Sequence, residues 1–211
     1  EHSLANNYVR CVFESSKKEC FVGTLSGLQH YSADADRFTD IPLILQDGII
    51  VEPNVAAIEE LSNGDLLVGT AGQGLFKITN THKGLVGISM EKRIPIPIVN
   101  ALHEDRNGNL WISAGENGIF RIDRNQQLHC YQKGANESEY TISSICETPD
   151  KQIYIGSLGK GLLKYNPTLD LFEPIIYANH SELPVKSLLL ATPDEIYIGT
   201  DGYGLKVYNI Q

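Results

Sequence analysis

The stretch VNALHEDRNGNLWISAGENGIFRI, residues 99–122, places short apolar segments between two turn signals. Asn107-Gly108 supplies the positive backbone angles that a tight hairpin needs. A short apolar segment, 110–112, follows this turn, and the sequence GENG at 115–118 separates it from 119–122. Apolar and polar residues alternate with a period of two, which predicts three antiparallel strands, and a weaker fourth strand follows at 128–132.

The same phrase recurs along the whole chain at a nearly constant spacing. In each copy a small residue follows the apolar triplet, at Gly23, Gly69, Ser113, Gly156 and Gly199. Successive copies are 46, 44, 43 and 43 residues apart. Four short antiparallel strands repeated with this period are typical of β-propeller blades. The sequence therefore predicts an all-β fold of five four-stranded antiparallel blades, in which the last blade lacks its fourth strand.

The repeats cover nearly all of the chain, so we expect one β-propeller region over residues 1–211. The predicted blades span 7–53, 54–97, 98–139, 140–183 and 184–211. The eight residues before Val9 are barely enough to supply the strand that the last blade lacks, which favours a part of a larger propeller over a closed five-bladed ring. Open edge strands pair readily with other strands, so we also expect self-association, as a dimer.

Composition excludes several classes of partner. The chain has 211 residues, 26 acidic against 17 basic side chains, and a formal net charge of −9. Such a surface repels nucleic-acid phosphates and anionic lipid headgroups. We find no apolar run near the roughly 20 residues that cross a bilayer, and residues 1–20 lack the pattern of a signal peptide. We therefore expect this chain to contact neither nucleic acid nor membrane.

The sequence also gives no sign of a catalytic, metal or cofactor site. The six histidines fall at different repeat positions, and the four cysteines include no C-x-x-C pair. Asp105, Asn107 and Asn109 faintly resemble a calcium loop, but Leu110 stands where such a loop requires glycine, so a hairpin turn is the better interpretation. We expect no enzymatic activity and no cofactor in this chain.

Two further residue sets have structural interpretations. Glu59, Glu104 and Glu147 are interpreted as one repeat position whose carboxylates cap hairpin backbones. Cys11 and Cys20 lie on adjacent predicted strands, so they could be bridged or could be small buried thiols, and the sequence leaves both open.

Any ligand site is expected on one face of the blades. In an up-and-down blade, the loop between the second and third strands emerges on the same face as the loop that joins the fourth strand to the first strand of the next blade. The expected loops are 70–73, 114–117, 158–160 and 201–203, with Asn54, Asn100, Tyr140 and Lys186 beside them. A sugar ring has an apolar face and hydroxyl edges, so aromatic rings flanked by amides and carboxylates suit it. The candidate ligand-binding residues are Glu116, Asn117, Tyr140 and Tyr203.

The phrase that starts at Val99 resembles the two-component regulator propeller repeat, whose pattern is V-x-x-I-x-E-D-x-x-G-x-L-W-I-G-T-x-x-G-G-L. The resemblance extends over all five repeats. The other copies replace Trp111 by Phe21, Leu67, Tyr154 and Tyr197. Repeat five has Leu190-Ala191 in place of the acidic pair.

This resemblance implies the periplasmic sensor half of a Bacteroidetes-type hybrid two-component histidine kinase. Such a domain belongs to the extracytoplasmic part of an inner-membrane protein, responds to oligosaccharides, and passes the signal to a kinase that this chain does not contain. Its partners would be the oligosaccharide, the remaining blades and the kinase module. The alternatives are a small propeller that serves as a protein-interaction scaffold, or a propeller lyase or hydrolase.

Overall fold

The computed structural model describes residues 3–131, 141–176 and 182–210. The chain divides into two compact units, Glu1–Asn100 and Ala101–Gln211. Within the described residues the regular structure consists of strands and one short 3₁₀ turn, Gly115–Asn117. A helix long and apolar enough to cross a membrane is not found in those residues.

The first unit contains two sheets. Blade 1 is an antiparallel meander of β1 (Val9–Glu14), β2 (Cys20–Thr24), β3 (Gly27–Ser32) and β4 (Arg37–Ile41). A small hairpin of β5 (Leu43–Ile44) and β6 (Ile50–Val51) follows. Blade 2 is formed by β7 (Val55–Glu60), β8 (Leu66–Thr70), β9 (Leu75–Thr81) and β10 (Gly84–Ser89).

The second unit contains three sheets. Blade 3 consists of β11 (Ala101–Glu104), β12 (Leu110–Ser113), β13 (Ile119–Ile122) and β14 (Leu128–Tyr131). Blade 4 consists of β15 (Ile142–Glu147), β16 (Ile153–Ser157), β17 (Gly161–Asn166) and β18 (Leu171–Ile175). Blade 5 has three strands, β19 (Val185–Thr192), β20 (Glu195–Thr200) and β21 (Leu205–Asn209).

The predicted all-β class is confirmed, and so is the three-stranded last blade. Consecutive strands pair antiparallel in every blade, with the turns at the predicted places. The single region predicted over residues 1–211, with its blade limits, stays a prediction.

The β5–β6 hairpin departs from the prediction. β5 pairs in parallel with β10, so the sheet of blade 2 has six strands instead of four. Gly87 of β10 makes room for this pairing, because a Cβ there would collide with the side chain of Leu43. Leu43 is almost fully buried. The hairpin lies within residues 7–53, which the sequence assigned to blade 1, and it explains why the first repeat spacing is the longest.

The small residue that follows the apolar triplet lies in the second strand of a blade. It lies where the first strand of the following blade packs against that second strand. A Cβ added to Gly23 would lie 2.5 Å from Val55 Cγ1, well inside van der Waals contact. The same collision would occur in the pairs Gly69–Val99 and Gly156–Val185. The repeated glycine is therefore required by packing between strands of different sheets, with no positive φ angle involved.

Blade 3 has Ser113 instead of glycine at this position, and its side chain is accommodated in the same contact. Its hydroxyl donates a hydrogen bond of 2.7 Å to the carbonyl of Ile142, which holds the position of Val55, Val99 and Val185. The side chain of Ser113 is fully buried. A buried hydroxyl with a partner can be accommodated where an unpaired one would destabilise the fold.

A glutamate at the end of a first strand binds the hairpin of the preceding blade. Glu147 accepts the backbone N–H of Arg106 at 3.0 Å. Glu60 accepts the backbone N–H of Ser16 at 2.6 Å and its hydroxyl at 2.7 Å. The predicted backbone capping is confirmed for Glu147, and Glu60 makes the equivalent contact.

One member of the predicted set was wrong. Glu60, not Glu59, is the equivalent of Glu147, because Glu60 pairs with Leu66 as Glu147 pairs with Ile153. The spacing in the sequence agrees: Glu104 and Glu147 lie nine residues before Ser113 and Gly156, and Glu60, not Glu59, lies nine residues before Gly69.

The four cysteines are free thiols. Cys11 pairs with Gly23 across the hairpin, whereas Cys20 pairs with Glu14, so the two residues are out of register for a bridge. Burial raises the pKa of Cys11 to about 11, which makes it an unreactive thiol at neutral pH.

We predict that Gly156→Ala destabilises the protein by about 1–3 kcal/mol, the usual effect of overpacking. The new Cβ would collide with Val185 and with Ser144 Oγ. The measurement is urea unfolding followed by tryptophan fluorescence and circular dichroism. Gly199→Ala is the matched control, because a Cβ there meets the Ser187 hydroxyl, which can rotate away. Equal losses in both variants would contradict the packing argument.

We also predict a pH-dependent effect of Glu60→Gln. Hydrogen bonds from Ser16 lower the pKa of Glu60 in the folded protein. The ionised carboxylate therefore stabilises the native state above its ordinary pKa, and this stabilisation disappears as the pH falls through the lowered pKa. The variant should melt earlier than the wild type at pH 7 and equally at acidic pH. The exposed Glu52, changed to Gln, should show no such dependence.

Candidate ligand-binding site

The turns between second and third strands lie beside the starts of the first strands. The carbonyl of Asn54 accepts the N–H of Ala71 at 2.8 Å, and that of Pro184 accepts the N–H of Asp201 at 2.8 Å. These bonds join the two loop sets at one end of blades 2 and 5. The predicted proximity of the two loop sets is confirmed there.

Tyr203 occupies the tip of the turn between β20 and β21. It lies between Gly202 and Gly204, whose φ angles of 87° and 71° make this tight turn possible. The hydroxyl of Thr200 donates to the carbonyl of Gly204 and holds the turn closed. The Tyr203 side chain is 58% exposed, so its ring is available to a ligand.

Glu116 and Asn117 lie in the 3₁₀ turn Gly115–Asn117, between β12 and β13. The N–H of Asn117 donates to the carbonyl of Ala114 at 3.1 Å, and Asn117 is exposed. Tyr140 lies outside the described residues. Two predicted residues therefore share a turn of blade 3, whereas Tyr203 belongs to blade 5. Their role in binding stays a prediction.

A cavity of about 380 Å³ lies beside the corresponding turn of blade 2. The carbonyl of Pro97 accepts the N–H groups of Gly72 and Gly74, at 3.0 and 2.7 Å, and so fixes the turn. The cavity is lined by Leu45, Gly72, Gln73, Gly74, Glu91, Pro95, Ile96 and Pro97. Gln73 and Glu91 are its polar side chains, so it is mainly apolar.

A larger cavity, of about 660 Å³, lies at the opposite end of the strands, between blades 3 and 4; we call it the blade 3–4 groove. Its polar lining comes from the first hairpins of both blades and from the last hairpin of blade 4. The lining residues are Asp105, Asn107, Asn109, Trp111, Arg121, Asp150, Lys151, Gln152, Ile153, Tyr165, Pro167 and Asp170.

An aromatic cluster with a central arginine forms the inner side of this groove. The Arg121 guanidinium lies 5.4 Å from the ring centre of Trp111, 5.5 Å from that of Tyr131 and 5.6 Å from that of Tyr165. Arg121 Nη1 also donates a 2.6 Å hydrogen bond to the Tyr165 hydroxyl. Cation–π attraction in a partly buried site holds such a cluster rigid.

Asp170 connects the aromatic cluster to the rim of the groove. The hydroxyls of Tyr165 and Tyr131 both donate to its carboxylate. These hydrogen bonds lower the pKa of Asp170. Burial, together with the hydrogen bond to Asp170, raises the pKa of Tyr131. At neutral pH the rim therefore carries an ionised carboxylate and the cluster two neutral phenols.

Asp105 organises the adjoining hairpin. Its Oδ1 accepts the N–H groups of Asn107 and Asn109, each at 2.9 Å, and its Oδ2 accepts the Trp111 indole N–H at 2.8 Å. The segment forms the hairpin turn between β11 and β12 that the sequence predicts. Across the groove, Lys151 Nζ donates to Asn107 Oδ1 at 3.1 Å.

The groove thus presents charged and polar groups of both signs over an aromatic base. Several of these groups bond to one another: the Asn109 amide donates to Asp105, and Lys151 donates to Asn107. Sequence reasoning missed this groove, because its residues come from three hairpins; the single tryptophan of the chain, Trp111, was the available signal.

Two features of the described residues concern metal binding and acid–base chemistry. Groups of three or more His, Cys, Asp or Glu side chains that could hold a metal are not found in them. His129 Nε2 lies 3.0 Å from Asp123 Oδ2, but Asp123 also accepts the N–H groups of Asn125 and Gln127. This pair therefore belongs to the architecture of a hairpin.

Several solved structures share this fold. At 18% identity, the extracellular domain of the hybrid two-component system BT4673 from B. thetaiotaomicron matches 98% of this chain with a TM-score of 0.79. The corresponding domain of BT3049 matches 99% at 18% identity, with a TM-score of 0.78. This chain covers 29% and 28% of those two chains, less than a third of their length.

An enzyme shares the fold less closely. Virginiamycin B lyase from Staphylococcus aureus matches 99% of this chain at 15% identity, with a TM-score of 0.61, and 73% of its own length is covered. At such identities these likenesses show the fold alone.

The sequence comparison is more specific. No curated protein matches the chain. Residues 94–116 match the family model described as two component regulator propeller. The matched stretch contains β11, β12 and the start of the 3₁₀ turn, the same copy in which the resemblance was fullest. Residues 94–116 are therefore a two component regulator propeller repeat, and the predicted repeat family is confirmed.

Proposed function

We propose that this chain is a ligand-recognition part of an extracytoplasmic sensor in a hybrid two-component signalling protein. The observation that carries the proposal is the repeat at 94–116 within a fold like that of the extracellular domains of BT4673 and BT3049. A kinase module outside these 211 residues would receive the signal. The location would be the periplasm.

The proposed ligand is an oligosaccharide. Sugar recognition uses flat rings together with amide and carboxylate groups, because hydroxyls both donate and accept hydrogen bonds. The exposed ring of Tyr203 and the exposed amide of Asn117 supply such groups. We call the end of the blades that carries the turns 114–117, 158–160 and 201–203 the turn face. Glu116 and Tyr140 complete the proposed set.

The blade 3–4 groove is a second location for the same ligand. Asp150 and Lys151 are exposed on its rim, and Tyr165 and Pro167 provide apolar surface. The groove and the turn face lie at opposite ends of the strands. Variants at the two ends can therefore be compared directly.

Two other functions remain as alternatives. A protein-interaction scaffold would bind a protein partner and no sugar. A lyase or hydrolase is suggested only by the fold shared with virginiamycin B lyase. Unlike a sensor, an enzyme would convert its ligand.

We predict binding of neutral oligosaccharides without turnover. Isothermal titration calorimetry would use neutral oligosaccharides prepared from plant polysaccharides and host glycans. Chromatography of the same mixtures after prolonged incubation would detect any product. Product formation would contradict the sensor proposal, and a complete lack of binding across the panel would contradict the proposed ligand class.

The site is tested with paired variants. If the turn face binds the ligand, Tyr203→Ala and Asn117→Ala should each weaken binding about tenfold, which corresponds to about 1.4 kcal/mol. Asp150→Ala and Lys151→Ala should then leave the Kd unchanged. The reverse result would place the ligand in the groove. Tyr8→Ala is the matched control, because Tyr8 is an exposed tyrosine of blade 1.

A further inference from the structure

Three asparagines of the chain are followed directly by glycine: Asn63, Asn107 and Asn117. Such a pair can lose ammonia, because the backbone nitrogen of the glycine attacks the side-chain amide carbon and no Cβ hinders the attack. The three glycines have φ angles of 83°, 76° and 82° in chain order, and all three asparagines are exposed. The φ angle of the glycine and the exposure of the asparagine therefore do not distinguish the three pairs, whereas their hydrogen bonds do.

The reaction makes two demands on the local structure. The side-chain amide has to rotate until its Cγ lies next to the backbone nitrogen of the glycine, and that nitrogen has to lose its proton. A hydrogen bond that holds either group slows the reaction, because the bond must break first. The three pairs can be compared on these two demands.

Asn63 is held at both groups. Its Oδ1 accepts the N–H of Asp65 at 2.9 Å, and its Nδ2 donates to the Asp65 carboxylate at 3.1 Å. Lys77 Nζ lies 2.6 Å from the same carboxylate and holds it in place. The N–H of Gly64 donates to the carbonyl of Leu61 at 2.8 Å, an ordinary hydrogen-bond length. Attack at Asn63 therefore requires several hydrogen bonds to break together.

Asn107 is held in the same two places. Its Oδ1 accepts a hydrogen bond of 3.1 Å from Lys151 Nζ. The N–H of Gly108 donates to the carbonyl of Asp105 at 2.7 Å. The carboxylate of Asp105 also accepts the N–H of Asn107 itself at 2.9 Å. The side chain and the backbone of this pair are therefore both fixed.

Asn117 is the least constrained of the three. Its side chain forms no hydrogen bond with any residue that the structure describes. The N–H of Gly118 donates to the carbonyl of Gly115 at 3.3 Å, the longest of the three glycine bonds. This bond belongs to the 3₁₀ turn, in which hydrogen-bond geometry is poor. Gly118 is buried, but the attacked amide of Asn117 is exposed, so ammonia leaves directly into solvent.

We propose that Asn117 is a site of spontaneous deamidation in the folded protein, and that the fold protects Asn63 and Asn107. The backbone nitrogen of Gly118 forms a bond to Cγ of Asn117, and the C–N bond of the side-chain amide breaks. Ammonia leaves with the proton that the backbone nitrogen has lost. Water then opens the cyclic imide at one of its two carbonyls, which gives aspartate or isoaspartate. One molecule of water is consumed and one of ammonia is released.

The modification changes the charge and the backbone of one turn. The new carboxylate changes the formal net charge from −9 to −10. Isoaspartate also adds a methylene group to the backbone, inside a turn that the 2.9 Å hydrogen bond from the Ala114 N–H to the Gly118 carbonyl closes. The inference goes beyond the proposed function and does not depend on it, because the reaction needs only water.

The test is a time course of the 211-residue chain at pH 8 and 37 °C, folded in buffer and unfolded in guanidinium chloride. Trypsin releases both Asn107 and Asn117 in peptide 107–121 and Asn63 in peptide 38–77. Tandem mass spectrometry assigns each change to one asparagine, and a zero-time sample corrects for deamidation during digestion. Each folded rate is divided by the unfolded rate of the same pair. On this scale Asn117 should react about tenfold faster than the other two, which must first break hydrogen bonds.

Two variants sharpen the result. Asn117→Gln is the control, because glutamine forms its larger ring much more slowly; peptide 107–121 should then keep only the slow reaction at Asn107. Asp65→Ala releases the Asn63 side chain and should accelerate the reaction there while the rate at Asn117 stays unchanged. Circular dichroism verifies folding, and Lys77→Ala replaces the Asp65 variant if that variant does not fold. Equal protection of all three pairs by folding, or a faster reaction at Asn63 or Asn107 than at Asn117, would overturn the proposal.

Discussion

Packing of a β-branched side chain against a position without a side chain is the contact on which the blades depend. At Gly23 and Gly156, the next first strand approaches so closely that even a methyl group would collide. Close approach buries the large residue two positions earlier in the same strand, as at Phe21 and Tyr154, both almost fully buried. Because each sheet is small, its stability comes from apolar surface covered by a neighbouring sheet.

This contact also explains which deviations from the repeat are accommodated. Trp111 fills its position with an indole whose N–H has a partner in Asp105, and Tyr154 fills the equivalent position with a buried ring. Ser113 replaces glycine because its hydroxyl finds the carbonyl of Ile142. What the repeat keeps at the large position is burial, since Phe21, Leu67, Trp111 and Tyr154 are all almost fully buried, whereas residue identity varies.

The two ends of the strands have different chemistry. Turns with glycines at positive φ present single exposed residues, of which Tyr203 is the clearest example. Hairpins at the other end converge on Arg121 and its aromatic neighbours, and they enclose a groove.

The sequence by itself determined the strand period, the turns and the repeat, because alternation and turn residues act over a few neighbouring positions. It also indicated which turns share an end of the blades. Only the tertiary structure decided that β5 joins blade 2 and that Asp105, Lys151 and Asp170 surround one groove. These outcomes depend on register and on approach between residues distant in the chain, for which a local pattern carries no information.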